Sequence, residues 1–127
     1  MGFVLIWSGD QIEDVADDFS YSVAQGLENA LEDKERQIKW SNSMADLSKR
    51  FQDLISLDDL TVAEIRFSSM SSEYRALCVV VPEEETVFYW SLVPKKGSYQ
   101  RRQLNLMEEN SEKINQIVQR KLDQHSP

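Results

Sequence analysis

The spacing of apolar positions changes several times along the chain, and each change predicts a different element. Residues 3–7 form a continuous apolar run, which predicts a strand that lies inside a sheet and is covered on both faces. A capping box at Ser8 and Gln11 then introduces apolar residues at helical spacing, which predict a first helix over residues 11–32. The charged stretch 33–39 has no clear period, so it is expected to be a connector or a frayed extension of that helix.

A second amphipathic helix is predicted from Asn42 onward, because apolar residues again recur at spacings of three and four. Its apolar stripe consists of Met44, Leu47, Phe51, Leu54 and Ile55. A stripe of this kind needs another layer to cover it, and the strands that follow can supply that layer.

Three strands are predicted in the second half. Residues 63–68 alternate between apolar and polar, residues 74–81 are apolar apart from Arg75, and residues 86–93 are rich in β-branched and aromatic types. Short polar turns at 68–72 and 82–85 join them into a meander. Residues 99–108 give no clear pattern. Ser111 is expected to cap a terminal helix with Ile114 and Leu122 on its apolar side.

This order of elements predicts an α+β fold. A chain of 127 residues can bury a core as one domain, so residues 1–127 are expected to form a single unit. The lone Cys78 allows no internal disulfide and gives no sign of an oxidising compartment, which favours the cytoplasm. The apolar run near the N-terminus is too short to cross a membrane and lacks the features of a signal peptide, so no membrane association is expected.

The distribution of charge changes the interpretation of a net charge of −8. Residues 1–60 carry 5 Lys and Arg against 13 Asp and Glu, a balance of −8, whereas residues 61–127 carry 9 against 9, a balance of zero. The excess acidity therefore belongs to the first half. Within the second half, four cations without an intervening acid form a local basic patch that could contact phosphates: Lys95, Lys96, Arg101 and Arg102.

Three short segments resemble motifs of the RelE/ParE toxin superfamily. In that group a strand of the type Glu-Leu-Arg precedes a strand containing Tyr-Arg, and a hydrophobic strand ending in paired cations follows. The corresponding segments here are Glu64-Ile65-Arg66, Tyr74-Arg75 and Lys95-Lys96. The resemblance covers the second half of the chain by motif and the first half by element order. Tyr99 lies loosely where the RelE branch places a functional tyrosine.

The resemblance implies a small antiparallel β-sheet with two N-terminal helices packed on one face and a C-terminal helix. It also implies an mRNA endoribonuclease that works on the ribosome, inhibits translation without a metal or other cofactor, and is neutralised by an antitoxin protein. Relatives in the ParE branch share the fold but inhibit DNA gyrase, so the fold alone does not decide the function. Formation of a dimer is left open.

The strand register decides whether the cations meet. A symmetric turn around Met70 would place Phe67 opposite Tyr74, and Arg66 would then lie opposite Arg75 on one face of the sheet. If Val80 also faces Val87, Lys96 falls on that face too, beyond Leu92. A slip of one residue would move every side chain to the other face.

Cleavage by a ribose 2′-hydroxyl needs a base, an acid and stabilisation of a charged phosphorane. Arg75 is the predicted phosphate clamp because its guanidinium is planar and permanently charged, and Arg66 would assist it. Neighbouring cations favour the uncharged form of a lysine, so Lys95 or Lys96 is the candidate base. Two further groups are candidate RNA contacts: Tyr99 and Trp90, which could stack on bases, and Arg101 and Arg102, which could hold the backbone.

Simpler interpretations stand beside these. Arg66 could pair with Glu64 or Glu73, the two lysines could be ordinary solvated side chains, and the two arginines near residue 101 could keep a loop soluble. Cys78 is expected to be a buried, inert thiol, and no Cys/His cluster predicts zinc. A second hypothesis is a non-catalytic module of the same fold, either gyrase-inhibitor-like or an inactive orphan. It would bind a basic partner through acids of the first helix: Asp14, Asp17 and Asp18.

Overall fold

A computed structural model describes residues 2–7, 20–41, 43–51, 54–57, 60–95 and 98–125. The predicted α+β fold class is confirmed. In chain order the elements are β1 (Val4–Ile6), α1 (Tyr21–Lys39), α2 (Met44–Arg50), β2 (Leu54–Leu57), β3 (Leu60–Ser69), β4 (Ser72–Val81), a 3-10 turn (Pro82–Glu84), β5 (Thr86–Pro94), α3 (Tyr99–Glu109) and α4 (Ser111–His125). The predicted capping box and residues 11–19 of the predicted first helix, with their three aspartates, lie outside the described residues.

The strands form one five-stranded sheet in the order β1-β5-β4-β3-β2. β2, β3, β4 and β5 pair antiparallel as a meander, and β1 pairs parallel to β5. The prediction that the first strand lies inside the sheet is therefore wrong, because β1 is at an edge and Val4 is 57% exposed. The apolar run does not distinguish a central strand from an edge strand here, since Phe3 and Leu5 pack in one core and Ile6 packs against the other.

The end of the second helix is also corrected. α2 stops at Arg50, and Phe51 is already extended at φ −109° and ψ 141°. Leu54 and Ile55, predicted to continue the helical stripe, instead belong to β2 and pair with Ala63 and Val62 of β3. Pairing with a neighbouring strand satisfies their backbone, and this tertiary contact outweighs a spacing that fits a helix equally well.

α1 continues seven residues past its predicted end. Within the charged stretch, the carboxylate of Asp33 bonds to Arg36 Nη2 at 3.4 Å and to Gln37 Nε2 at 3.3 Å, one turn further along. Ile38 is completely buried and fastens the last turn to the core. At the other end Ser20 is the N-cap, accepting a hydrogen bond from Val23 N.

The sheet separates two apolar cores. α1 and α2 cover the first face, as the predicted packing of two N-terminal helices requires, and α3 and α4 cover the second face. The predicted terminal helix is present as α4, and the unassigned residues before it form α3. The first core centres on Leu27, Leu31, Ile38, Leu47, Ala63, Cys78 and Tyr89, and the second on Leu77, Val79, Phe88, Met107, Ile114 and Val118. Among the described helices, none is both long and apolar enough to cross a bilayer.

Candidate functional site

The hairpin between β3 and β4 has the predicted register. Phe67 pairs with Tyr74, and Arg66 therefore pairs with Arg75. The turn is made by Met70 at φ 51° and Ser71 at φ 68°, two successive left-handed residues of the kind that match the twist of a two-residue hairpin. The rings of Phe67 and Tyr74 stack with centroids 5.5 Å apart, which reinforces this register from the opposite face.

Arg75 lies on the second face, in the same alternating row of β4 as Leu77 and Val79. It is only 5% exposed. Its Nη1 donates to the carbonyl of Tyr74 at 3.1 Å, and its Nη2 is 4.0 Å from Glu73 Oε2. A guanidinium carries five N–H groups. These two contacts hold the guanidinium at the second face of the sheet.

A β-bulge changes the predicted register between β4 and β5. Val80 does face Val87, but the register shifts at Leu77 and Cys78, so that Arg75 lies opposite Val93 rather than Leu92. The extra residue in β5 is Trp90. From Ser91 to Lys95 each side chain therefore lies on the opposite face from the one predicted. Lys95, two positions beyond Val93, then continues that row, and its N–H donates to Glu73 O at 2.9 Å. Lys96 lies outside the described residues.

Two carboxylates accompany these cations, and we call the set Arg66, Arg75, Lys95, Glu64 and Glu73 the hairpin-end cluster. Glu64 Oε2 is 3.7 Å from Arg66 Nη2, so the simpler interpretation of Arg66 as an ion-pair partner is confirmed. Lys95 Nζ is 3.1 Å from Glu73 Oε2. Among the described residues the cluster therefore has one positive charge in excess.

The two carboxylates differ in environment. The hydrogen bond and charge of Lys95 lower the pKa of Glu73, with smaller contributions from Arg75 and Arg66, so this carboxylate is ionised at neutral pH. Glu73 and Lys95 are both exposed, and an exposed pair of this kind exchanges readily with ions from solution. The side chain of Glu64 is 3% exposed, which makes it the enclosed member of the cluster.

α3 is anchored beside this cluster. Gln100, in its first turn, donates a hydrogen bond from Nε2 to Glu64 Oε1. Tyr99 precedes it, begins α3 and is 51% exposed. The helix thus starts next to β3, beside the hairpin-end cluster.

The remaining predicted RNA contacts are spread along α3 and β5. Arg101 and Arg102 are exposed on α3, which corrects the expectation that they belong to a loop. Arg101 lines a pocket of about 660 Å³ together with Leu57 and Gln100. Trp90 is half-buried at the bulge and packs against the second core, where it lines a different pocket with residues of α3 and α4. The structure brings three of the predicted site residues together directly: Arg66, Arg75 and Lys95.

The sequence interpretation missed one partner in the site. Glu64, which shares the alternating row of Arg66, was already a predicted ion-pair partner of that arginine. The missed partner, Gln100, carries no such signal, because its helix was not predicted. Within the described ranges, no three His, Cys, Asp or Glu side chains converge as ligands for a metal ion.

Comparisons with protein-family models, with curated proteins and with solved structures give no match for this chain. The hairpin-end cluster and the resemblance of the sequence motifs are therefore the observations that bear on function.

Proposed function

We propose that this chain is a RelE-like toxin, a cytoplasmic endoribonuclease that cleaves mRNA on the ribosome without a metal ion and is neutralised by an antitoxin protein. The observation that carries the proposal is the direct cross-strand pair of Arg66 and Arg75, with Lys95 at the same end of the sheet. Like charges in directly opposed positions are destabilising unless anions lie between or beside them. Such an arrangement suits a ligand with concentrated negative charge.

The chemistry assigned to the cluster follows from the environment of each residue. Arg75 clamps the scissile phosphate, because burial and the bond to the Tyr74 carbonyl hold its planar fork in place before RNA arrives. Arg66, with a side chain 41% exposed, contacts the same phosphate from the neighbouring strand. Both stabilise the charge that develops as the 2′-oxygen attacks phosphorus and the 5′-oxygen leaves.

A lysine takes part in the proton transfers. The 2′-hydroxyl proton passes to the uncharged amine of Lys95 or of Lys96 as general base, and the departing 5′-oxygen takes up a proton from solvent water. Tyr99, Arg101, Arg102 and Trp90 are proposed as contacts to the rest of the RNA. Before the reaction the ammonium group of Lys95 is paired with Glu73, so Lys95 leaves this carboxylate and loses a proton before it acts as base.

A second candidate is the non-catalytic module of the same fold, either gyrase-inhibitor-like or inactive. The observation that favours it is the pairing of Arg66 with Glu64 and of Lys95 with Glu73. In this case the carboxylates neutralise the cations for structural reasons, and no anion needs to enter.

Substitution of Arg75 and Lys95 separates the two candidates. Arg75→Lys retains the charge but loses the bidentate fork, and we expect cleavage of ribosome-bound mRNA to fall by about 100-fold. Lys95→Ala removes an exposed side chain without disturbing the core, and we expect at least about a tenfold loss. The measurements are growth arrest on expression in a bacterial host and cleavage of mRNA on purified ribosomes in the presence of EDTA.

Lys121→Ala is the matched control, because Lys121 is exposed on α4 and does not belong to the hairpin-end cluster. Circular dichroism of each variant checks that it is folded. Unchanged growth arrest in folded Arg75→Lys and Lys95→Ala would rule out the cleavage mechanism and favour the binding module. Inhibition of gyrase supercoiling by all variants alike would identify that module as the gyrase-directed type.

A further inference from the structure

An apolar groove lies at the opposite edge of the sheet from β2. It has a volume of about 630 Å³ and is lined by Gly2, Phe3, Val4, Lys39, Trp40, Glu83, Glu84 and Glu85. Trp40 is 73% exposed and Val4 is 57% exposed, although both are large apolar side chains. Volumes in this range are typical of ligand-binding clefts, and an exposed tryptophan is a frequent anchor at protein interfaces.

The groove has walls that are fixed to each other through β1. The N–H of Phe3 donates to Ser41 O at 3.0 Å, which ties the end of α1 to the strand. The N–H of Val4 donates to Glu85 O at 2.9 Å, which ties the turn before β5 to the same strand. Both walls are therefore held in place without a ligand, and binding would require little rearrangement.

The floor of the groove is closely packed. A Cβ atom at Gly2 would lie 1.6 Å from the carbonyl oxygen of Lys39, so the chain before β1 passes directly against the last turn of α1. Phe3 is 2% exposed and connects this floor to the first core. The backbone next to Trp40 is therefore packed against a segment that is itself fixed to the first core.

The charges around the groove have one dominant sign. The residues that line the groove include three acids, Glu83, Glu84 and Glu85, and one base, Lys39. None of these three acids contributes to the hairpin-end cluster. A rim of this sign attracts cations and repels the phosphates of nucleic acid.

We propose that this groove is a docking site for a basic segment of a partner protein, in which aliphatic side chains lie between lysines or arginines. The aliphatic side chains would cover Trp40 and Val4, and the flanking cations would pair with Glu83 and Glu84. This surface is separate from the hairpin-end cluster, and the inference does not depend on the proposed RNA cleavage.

Three labelled peptides of one length test the proposal by fluorescence anisotropy: KKVLVKK, SSVLVSS and EEVLVEE. The basic peptide is expected to bind about tenfold more tightly than the polar one at low salt, and its affinity should fall as salt is added. The acidic peptide should bind most weakly, because its charges meet the carboxylate rim.

Matched variants locate the binding. The double variant Glu83→Lys with Glu84→Lys should lower the affinity for KKVLVKK by about tenfold. The double variant Glu108→Lys with Glu109→Lys makes the same change in net charge on α3, and its affinity for the peptide should stay within about twofold of the wild type. Trp40→Ala should also lower the affinity for the basic peptide. Tyr21→Ala removes another exposed aromatic residue, at the opposite end of α1, and should leave that affinity unchanged.

Equal losses in the two double variants would attribute the binding to net charge and overturn the proposal. It would also be overturned if Trp40→Ala bound the basic peptide as the wild type does. Self-association of the wild-type chain that Trp40→Ala abolishes, seen by sedimentation and without peptide binding, would assign the groove to a second copy instead.

Discussion

Arg75 and Cys78 lie three residues apart on β4 but point to opposite faces of the sheet. Arg75 is buried beside charged partners on the second face, whereas Cys78 is completely enclosed by the first core. Burial raises the pKa of the Cys78 thiol to about 12. Burial also raises the pKa of Tyr89, the residue directly opposite, and Cys78 contributes to that shift. The predicted inert thiol is thus buried as expected.

The shifted thiol pKa predicts a loss of stability in alkali. The unfolded chain releases the Cys78 proton near the ordinary pKa of 9.0, while the native thiol keeps it until about 12. The unfolded state therefore binds fewer protons than the native state in this interval, and the free energy of unfolding falls as pH rises, by at most about 1.4 kcal/mol per pH unit. Below pH 9.0 the contribution is fully retained.

Urea unfolding at successive pH values from 9.0 upward measures this slope. Cys78→Ala should be less stable overall because it leaves a small cavity, but its stability should depend less on pH. Since the pKa of Tyr89 is also raised above its ordinary value of 10.0, the comparison of the two slopes is cleanest between pH 9.0 and pH 10.0. An identical slope in Cys78→Ala would contradict the assignment.

At the scale of elements, α3 connects the fold to the hairpin-end cluster. Met107 is buried near the end of this helix and holds it against the second core, and Gln100 holds its start against Glu64. Glu64 is an enclosed acceptor, and enclosed acceptors that lose a donor destabilise the native state. The docking of α3 therefore depends on polar as well as apolar contacts.

Gln100→Ala should lower the free energy of unfolding by about 2 kcal/mol, because the carboxylate of Glu64 loses its hydrogen bond from α3. Hydrogen exchange in the first turn of α3 should also become faster. Gln116→Ala, at an exposed position of α4, is the matched control and should leave the free energy of unfolding almost unchanged. Equal stability of the two variants would show that the hydrogen bond between Gln100 and Glu64 does not hold α3 in place.

The whole molecule combines a net charge of −8 with a cationic cluster at one end of the sheet. On the proposed function, RNA should bind weakly to this chain and only at the hairpin-end cluster. With phosphate contacts from three cations, Arg66, Arg75 and Lys95, the logarithm of the affinity should fall with the logarithm of salt concentration at a slope of about −2.

A single-stranded RNA with 2′-O-methyl groups, which cannot be cleaved, allows this slope to be measured by anisotropy between about 50 and about 200 mM salt. Lys95→Ala should reduce the slope by about 0.7, the contribution of one contact, and Lys121→Ala should leave it unchanged. A slope unaffected by Lys95→Ala would place the RNA elsewhere on the molecule.

Much of the second half was predictable because its structure is local. A two-residue turn sets the register of its hairpin, and the structure confirms the register expected for a symmetric turn around Met70, in which Arg66 and Arg75 are opposed. The apolar strand around Cys78 likewise predicted a central strand. These features depend on neighbours within a few residues along the chain.

The sequence by itself determined the fold class and the meander, and it favoured a register that puts both arginines in one row, since alternation and turn chemistry act over short distances. Only the tertiary structure decided that β1 lies at an edge, that Leu54 and Ile55 form a strand, and that a bulge near Trp90 aligns Lys95 with Arg75. Each of these depends on pairing between distant segments, and local patterns are compatible with more than one such pairing.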